Sequence, residues 1–301
     1  MNPGPPADGS VLALQLWRLL RPHQWVKNGF VFVGLLFSAV GSDWGLAGRV
    51  LLAAAGFCLL SSSVYVVNDM FDREADRVHP LKRARPLASG AVSSGQALAL
   101  ALVCAIAGLA LGAAASAGVA TVLLAYLALN LAYSAGLKHV AILDVFMIAA
   151  GFMLRILAGT WGVGIVPSHW LLLCGLLLTI FLGFAKRRAE LMVSEGDGVN
   201  GAGRRPVLDD YSPALLDTMM AISAAGVIVS YSLYTVSPDT VALHGTDKLI
   251  YTLPFVLYGI FRYIFLLRRR GGEDPATTLL TDAHMTLTCT AWLGVTLWLI
   301  W

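Results

Sequence analysis

Asn68-Asp69-Met70-Phe71-Asp72-Arg73-Glu74-Ala75-Asp76 stands at the end of an apolar segment that runs from Ala47 to Val67, and the bases Arg73, Arg77, Lys82, Arg83 and Arg85 crowd in with it. On a helix, positions 69, 72 and 76 are offsets i, i+3 and i+7 and share one face, and Asn68 joins Asp72 at i+4. Three carboxylates on one stripe repel one another unless a cation sits between them. Hard divalent cations, Mg²⁺ above all, take such carboxylates as ligands and fill the rest of their shell with water and phosphate oxygens. Asp69, Asp72 and Asp76 are therefore the candidate metal-binding and catalytic residues. Lys82, Arg83 and Arg85 then read as a clamp for the same phosphates. The bland alternative is a solvated charge run beside a membrane. The single stripe of acids at the membrane edge favours the metal–phosphate reading.

The membrane follows from composition. Of 301 residues, 57% are hydrophobic and 13% charged, with mean hydropathy +0.73; soluble domains carry about 25% charged residues. An all-α integral membrane protein is expected. Segments near the ~20 residues needed to cross run from Trp25 to Val40, Ala47 to Val67, Ala97 to Ala117, Val119 to Ala135, Ile142 to Val163, Trp170 to Ala185, Leu216 to Val236, Leu249 to Leu267 and Met285 to Trp301. They predict nine transmembrane helices, with a short first span and a tight turn between the third and fourth.

With nine crossings, 17 of the 21 Lys and Arg residues fall on one face. Arg49 and Lys248 lie opposite, and Arg155 and Arg262 lie within spans. The basic face is the cytoplasmic one, which puts the amino terminus inside and Trp301 outside, in a multi-pass cytoplasmic (inner) membrane protein. The net charge of +3 hides this asymmetry, which is a topology signal and no sign of nucleic-acid binding. Residues 1–10 read as a disordered tail and 11–301 as one transmembrane domain. Val11 to Leu20 suits an interfacial helix, and no cleaved signal peptide is expected. Cys58, Cys104, Cys174 and Cys289 sit singly in apolar spans, as small buried hydrophobes. Glu195 to Gly203 is Gly-rich without P-loop order and reads as a flexible loop.

The remaining unusual polar residues gather at the same ends of the spans. Lys27 and Asn28 enter the first span, Lys27 either to meet substrate or to snorkel to the headgroups. Tyr133 and Lys138 stand in the turn before Asp144. An acid at that depth needs a partner, and Arg155 lies three turns deeper on a similar face; a structural ion pair and a substrate contact are both open. Lys186, Arg187 and Glu190 close the sixth span as either a basic anchor or a second wall of the site, with Lys186 and Glu190 spaced i, i+4. His79 and His139 have no transition-metal spacing, and no Ser-His-Asp or Cys-His arrangement emerges.

The Asn68–Asp76 motif, followed by Arg85-Pro86-Leu87-Ala88-Ser89-Gly90, resembles the first aspartate-rich motif of the UbiA superfamily of intramembrane prenyltransferases. The resemblance implies nine helices around a central cavity open to the cytoplasmic side, with Mg²⁺–diphosphate on the motif. Four further segments look more like the branch that makes decaprenyl-phosphoryl phosphoribose, a cell-wall precursor. They are Arg21-Pro22-His23-Gln24-Trp25-Val26-Lys27-Asn28, His79 through Pro86, Tyr133 through Asp144, and Lys186-Arg187-Arg188-Ala189-Glu190-Leu191. That branch implies phosphoribosyl diphosphate (PRPP) as donor, a polyprenyl phosphate as acceptor and a phosphoribosyltransferase as the enzyme. A second acidic motif, expected near the sixth-to-seventh loop in ordinary prenyl-transferring members, is replaced by Lys186, Arg187 and Glu190. The substitution of base for acid suits a donor with an additional phosphate. The alternative is prenyl transfer from a polyprenyl diphosphate to an aromatic or other small acceptor. A carrier of lipid phosphates would instead place polar residues at mid-membrane. Asn68, Lys27, Asn28, Tyr133, Lys138, Asp144, Lys186, Arg187 and Glu190 are the candidate substrate contacts beside the basic clamp; assembly into a homo-oligomer is left open.

Overall fold

In a computed structural model the described residues are 9–37, 43–78, 82–196, 206–270 and 281–300. Residues 1–8 of the expected tail, His79, and residues 197–203 of the Gly-rich loop lie outside them. Among the described residues every regular element is a helix. Eight helical segments are long and apolar enough to cross a membrane.

After α1 (Gly9–Leu20) and α2 (Val33–Phe37) come α3 (Trp44–Phe71), the short α4 (Arg73–Val78), α5 (Ser94–Ala115), α6 (Ala117–Ala135), α7 (Leu143–Ala158) and α8 (His169–Gly196). Helices α9 (Pro213–Val236), α10 (Pro238–His244), α11 (Leu253–Arg270) and α12 (Ala283–Ile300) complete the chain. The starts carry side-chain caps. Asp43 accepts from Leu46 N–H, Ser93 forms a capping box with Gln96, and Ser212 accepts from Leu215 N–H, each satisfying a donor that has no partner inside its helix. Between α5 and α6 only Ser116 intervenes, and it caps α6 through Val119 N–H, so the tight third-to-fourth turn is as expected.

The segment from Trp25 to Val40 is not one of the eight. Pro22–Phe32 winds as a 3₁₀ helix that passes into the five residues of α2. Arg21 precedes it in the left-handed region at φ 52°, which turns the chain sharply out of α1, and Pro22 supplies the fixed φ that starts a new helix. Its polar face turns inward: Trp25 Nε1 donates to Ser62 Oγ at 3.0 Å, and Asn28 is buried.

Two cores result. Val31, Val50, Phe57, Leu60, Val119, Leu123 and Tyr126 fill one, between α3, α6 and the 3₁₀ segment. Val145, Phe181, Phe184, Leu216, Met220, Tyr263 and Leu266 fill the other, among α7, α8, α9 and α11. Helix α7 contributes to both. Large apolar side chains such as Leu102, Val103 and Ile106 on α5, Ile222 and Val229 on α9, and Leu287 on α12 are exposed, as they must be where the solvent is lipid.

Helices α3 and α5 meet at glycines. A Cβ on Gly56 would lie 2.9 Å from the Gly108 carbonyl oxygen, and one on Gly108 the same 2.9 Å from that of Gly56. Backbone therefore lies on backbone, the small-residue packing that holds helices together in lipid. Gly56→Val should force the pair apart at about 1–3 kcal/mol. Thermal unfolding in detergent should show a drop of several degrees, whereas Gly48→Ala, where nothing lies within 4 Å, should leave the midpoint unchanged.

Candidate active site

A cavity of about 490 Å³ opens where α3 ends, α6 ends and α7 begins. Its wall includes Asn68, Asp69, Asp72 and Asp76, with Arg21, Lys27, Lys82, Arg85, Lys138, Arg155 and Lys186. Seven bases thus face three acids.

The acid stripe is interrupted. Helix α3 ends at Phe71 and α4 begins at Arg73, yet Asp72 N–H still bonds Asn68 C=O and Asp76 N–H still bonds Asp72 C=O. The i→i+4 pattern carries across the break, and the three carboxylates remain on one cavity wall. Asp69 and Asp76 are buried, each 4% exposed. Arg85 Nη1 donates to both, at 3.1 Å to Asp69 and 2.6 Å to Asp76, and Arg21 Nη2 donates to Asp69 at 2.5 Å. Asp72 is more open and pairs with Lys138 Nζ at 3.6 Å. Asn68 Oδ1 accepts from Ser134 Oγ at 2.7 Å.

Arg85 is aimed by the loop that carries it. Val92 N–H bonds Pro86 C=O, Gly90 takes φ 80°, and Leu87 and Val92 drop into a small core with Leu19, Val66, Ala97 and Ala101. Burying two apolar side chains beside Pro86 pins the backbone from which the guanidinium reaches back to α3 and α4.

Behind the opposite wall lies a buried network. Arg187 is wholly buried; its Nε donates to Asp144 Oδ2 at 2.5 Å, its Nη1 to Glu190 Oε2 at 2.5 Å and its Nη2 to Tyr133 Oη at 3.3 Å. Tyr211 donates to Asp144 Oδ1 at 2.7 Å and accepts from Ile142 N–H. Burial first, then the Asp144 hydrogen bond, push the Tyr211 phenol upward, so it remains a donor. Ile142 sits at φ 69°, ψ −48°, a strained turn for a β-branched residue. Tyr211 holds that turn and the carboxylate following it.

Asp144 thus has its partner on α8, 43 residues away, and not in Arg155. Glu190 is held by Arg187 at i+3. Arg155 is itself buried. Its Nε donates to Asn28 Oδ1 at 2.7 Å, Nη1 to Gly151 C=O at 2.8 Å and Nη2 to Tyr126 Oη at 3.2 Å. The rings of Phe57, Tyr126 and Phe152 surround it with centroids 4.8–5.4 Å from Cζ.

Of the residues singled out from sequence, Lys27, Asn68, Asp69, Asp72, Asp76, Lys82, Arg85, Tyr133, Lys138 and Lys186 line the cavity. Asn28, Arg83, Asp144, Arg187 and Glu190 do not: Arg83 is exposed and the other four stand behind the wall in the two networks. Arg21, Tyr65, Tyr126, Asn130, Ser134, His139 and Arg155 line it without having been predicted to. Arg155 had a signal, an arginine in mid-span. Tyr126, Asn130 and Ser134 fall at i, i+4, i+8 along α6 with Tyr133, a polar stripe that low charge concealed.

Among the described residues no three His, Cys, Asp or Glu side chains form a ready-made metal cage. The donors present still suit a hard divalent cation. Mg²⁺ needs one or two carboxylates and takes its other oxygens from water and substrate phosphate. Cationic groups of Arg21, Arg85 and Lys138 already stand against the three carboxylates, as their charge demands.

The UbiA prenyltransferase family profile matches residues 29–294. Decaprenyl-phosphate phosphoribosyltransferase of Mycolicibacterium smegmatis is 36% identical, over 97% of this chain and 93% of its own length. Its namesake in Corynebacterium glutamicum is 35% identical, over 95% and 85%. The solved structure of a UbiA homologue from Archaeoglobus fulgidus, bound to DMAPP and Mg²⁺, superposes with TM-score 0.71 at 18% identity, covering 95% of this chain and 99% of that one. The chain belongs to the UbiA prenyltransferase family.

Truncating one member of a buried ion pair strands the other, at about 3–5 kcal/mol. Arg187→Ala should therefore lower the thermal midpoint far more than Lys186→Ala on the adjacent, cavity-facing position. Pairing Asp144→Leu with Arg187→Leu should recover part of the loss. An equal effect of the two single alanine variants would show that the Asp144–Arg187 pair carries no special weight.

Proposed function

We propose that this protein transfers the 5-phosphoribosyl group of PRPP to a polyprenyl phosphate of the decaprenyl type, releasing pyrophosphate, with Mg²⁺ as the cation. The observation that carries the reading is the charge of the cavity: seven Lys and Arg against three Asp. A prenyl diphosphate with a metal calls for little more than the acid stripe and its clamp. PRPP brings a third phosphate, and Lys186, which lines the same cavity from α8, is a seat for it. The names of the two phosphoribosyltransferase relatives point the same way.

When bound, Mg²⁺ would supply Lewis-acid neutralisation of the diphosphate, held by Asp69, Asp72 and Asp76. Arg21, Arg85 and Lys138, the present partners of those carboxylates, would turn to the diphosphate once the cation neutralises the acids. They are charge-assisted donors for the departing group. A lipid phosphate oxygen forms the new bond to ribose C1 as the C1–O bond to diphosphate breaks, and pyrophosphate leaves with that electron pair. The phosphate monoester, with a second pKa near ~6, arrives largely dianionic and needs no base. Asp144, Arg187 and Tyr211 act at one remove by holding Tyr133 and the strained turn at Ile142.

The topology proposed is nine crossings with the amino terminus and the cavity mouth cytoplasmic. A 3₁₀ helix rises about 2.0 Å per residue, so the 11 residues of Pro22–Phe32 cover about 22 Å. The 5 residues of α2 add about 7.5 Å, and together they approach the ~30 Å of hydrocarbon. A segment too short as an α-helix is long enough in this form.

In purified membranes, labelled PRPP with a polyprenyl phosphate should give a charged lipid product, abolished by EDTA and restored by Mg²⁺. Asp69→Asn or Asp72→Asn should lower turnover at least ~100-fold; near-normal activity in either would remove the metal assignment. Lys186→Ala should raise the PRPP KM by about 10- to 100-fold and the lipid KM much less. Turnover of a polyprenyl diphosphate with an aromatic acceptor, and none with PRPP, would transfer the reading to prenyl transfer.

For orientation, cysteines placed at Ser94 and Gly201 should be shielded from an impermeant reagent in intact cells and labelled once the membrane is opened. Labelling from outside would invert the assignment.

A further inference from the structure

Arg155 is a cavity-lining base that the reaction proposed above leaves without an assignment. It lies 11 residues below Asp144 on α7, about 16 Å along the helix axis. At 5% exposure it is almost enclosed, yet it lines the cavity. A guanidinium has five N–H donors, and the contacts to Asn28, Gly151 and Tyr126 engage one on each nitrogen. Among the described residues it has no carboxylate within ion-pair distance, in contrast to Arg21, Arg85, Arg187, Arg188 and Arg262. Three aromatic faces soften the charge without cancelling it. A buried cation without a counter-ion is expensive, and the membrane makes it more so. The surroundings hold the group rigidly. Asn28, itself 2% exposed, is fixed to Cys58 Sγ through its Nδ2 while its Oδ1 holds Arg155. Apolar residues also line the cavity: Leu129, Met147, Ile148 and Phe152.

We infer that Arg155 is the seat for the phosphate of the lipid acceptor, a cation supplied with its counter-ion only when that phosphate arrives. This deepens the reaction proposed above and rests on it. Diphosphate on Asp69, Asp72 and Asp76 occupies one end of the cavity, and an in-line displacement at C1 requires the attacking oxygen to come from the other. Arg155 bonds Tyr126, eight residues and about 12 Å along α6 from the Ser134 that holds Asn68, which puts it away from the acids, and apolar cavity residues are there for the first isoprene units attached to the phosphate. Two phosphate oxygens can bind the remaining N–H donors, leaving the third to form the bond to C1. Asn28 is then a positioning residue that acts through Arg155.

The test separates binding from turnover in the full-length protein in nanodiscs. Binding of a polyprenyl phosphate and of the matching polyprenol is measured without PRPP; PRPP binding is measured without lipid. Wild type should bind the phosphate more tightly than the alcohol. Arg155→Gln should abolish that preference, raise the lipid-phosphate KM about 10- to 100-fold and leave PRPP binding within about threefold; Arg155→Lys should recover part of the loss. Asn28→Ala should weaken lipid-phosphate binding in the same direction and by less. An intact preference in Arg155→Gln overturns the inference. So does an equal loss of PRPP and lipid binding with a lowered thermal midpoint, the mark of a structural staple. If wild type distinguishes phosphate from alcohol through Arg155 but transfers no phosphoribosyl group, the seat stands and the donor assignment fails.

Discussion

Carboxylates at the edge of a membrane have to be neutralised, and the arrangement of this molecule's polar end follows from how that is done. Asp69 and Asp76 are buried and share the Arg85 guanidinium, with Arg21 as a second partner to Asp69. Taking such charges from water is tolerable only when partners and hydrogen bonds replace the lost hydration. The bases must therefore be brought to α3 by separate pieces of chain: Arg21 by the left-handed turn after α1, Arg85 by the Leu87–Val92 loop, Lys138 by the turn between α6 and α7. The first two depend on apolar burial remote from the charge they deliver, Leu19 before Arg21 and Leu87 with Val92 beside Arg85. The glycine contact of α3 and α5 sets the helix on which the acids stand.

A second balance works behind the first. Arg187 joins α8 to α7 through Asp144, to its own helix through Glu190 and to α6 through Tyr133. Tyr211, just before α9, ties the same carboxylate to the strained Ile142. Three helices, α6, α7 and α8, and the segment before α9 thus meet at one buried ion pair, beside the core that holds Val145, Ala189 and Tyr211. Rigid walls matter for the transfer proposed above, since the gain from orientation is lost with small displacements.

Much of this was legible from residue spacing. Offsets of three and seven place Asp69, Asp72 and Asp76 together whatever their surroundings, and the helix break at Asp72 does not undo it because the backbone bonds continue. Apolar length identified the eight long helices, and at Pro22–Phe37 it marked a span without its 3₁₀ winding, because a window assumes the α-helical rise. The partner of Asp144 was hidden for a different reason. Arg155 is near in sequence and Arg187 is distant, and only the packing of α7 on α8 decides between them. Lys186 and Arg187 are adjacent, so they point about 100° apart, and one faces the cavity while the other is buried. Periodicity within α8 gives no sign of which, since both neighbours are basic and the helix is apolar around most of its circumference.

The two longest helices carry a consequence for the host bilayer. Helices α3 and α8 each have 28 residues, about 42 Å of rise, against ~30 Å of hydrocarbon. The excess has to be taken up by tilt or by projection into the headgroups; Asp69 stands two residues before the end of α3 and Lys186 ten before that of α8. Membrane thickness therefore sets the height of both walls of the cavity relative to the plane of the lipid phosphates. A thicker or thinner bilayer alters how far an amphiphilic substrate must rise to meet them, so the lipid matrix enters the enzyme's geometry as a mechanical variable.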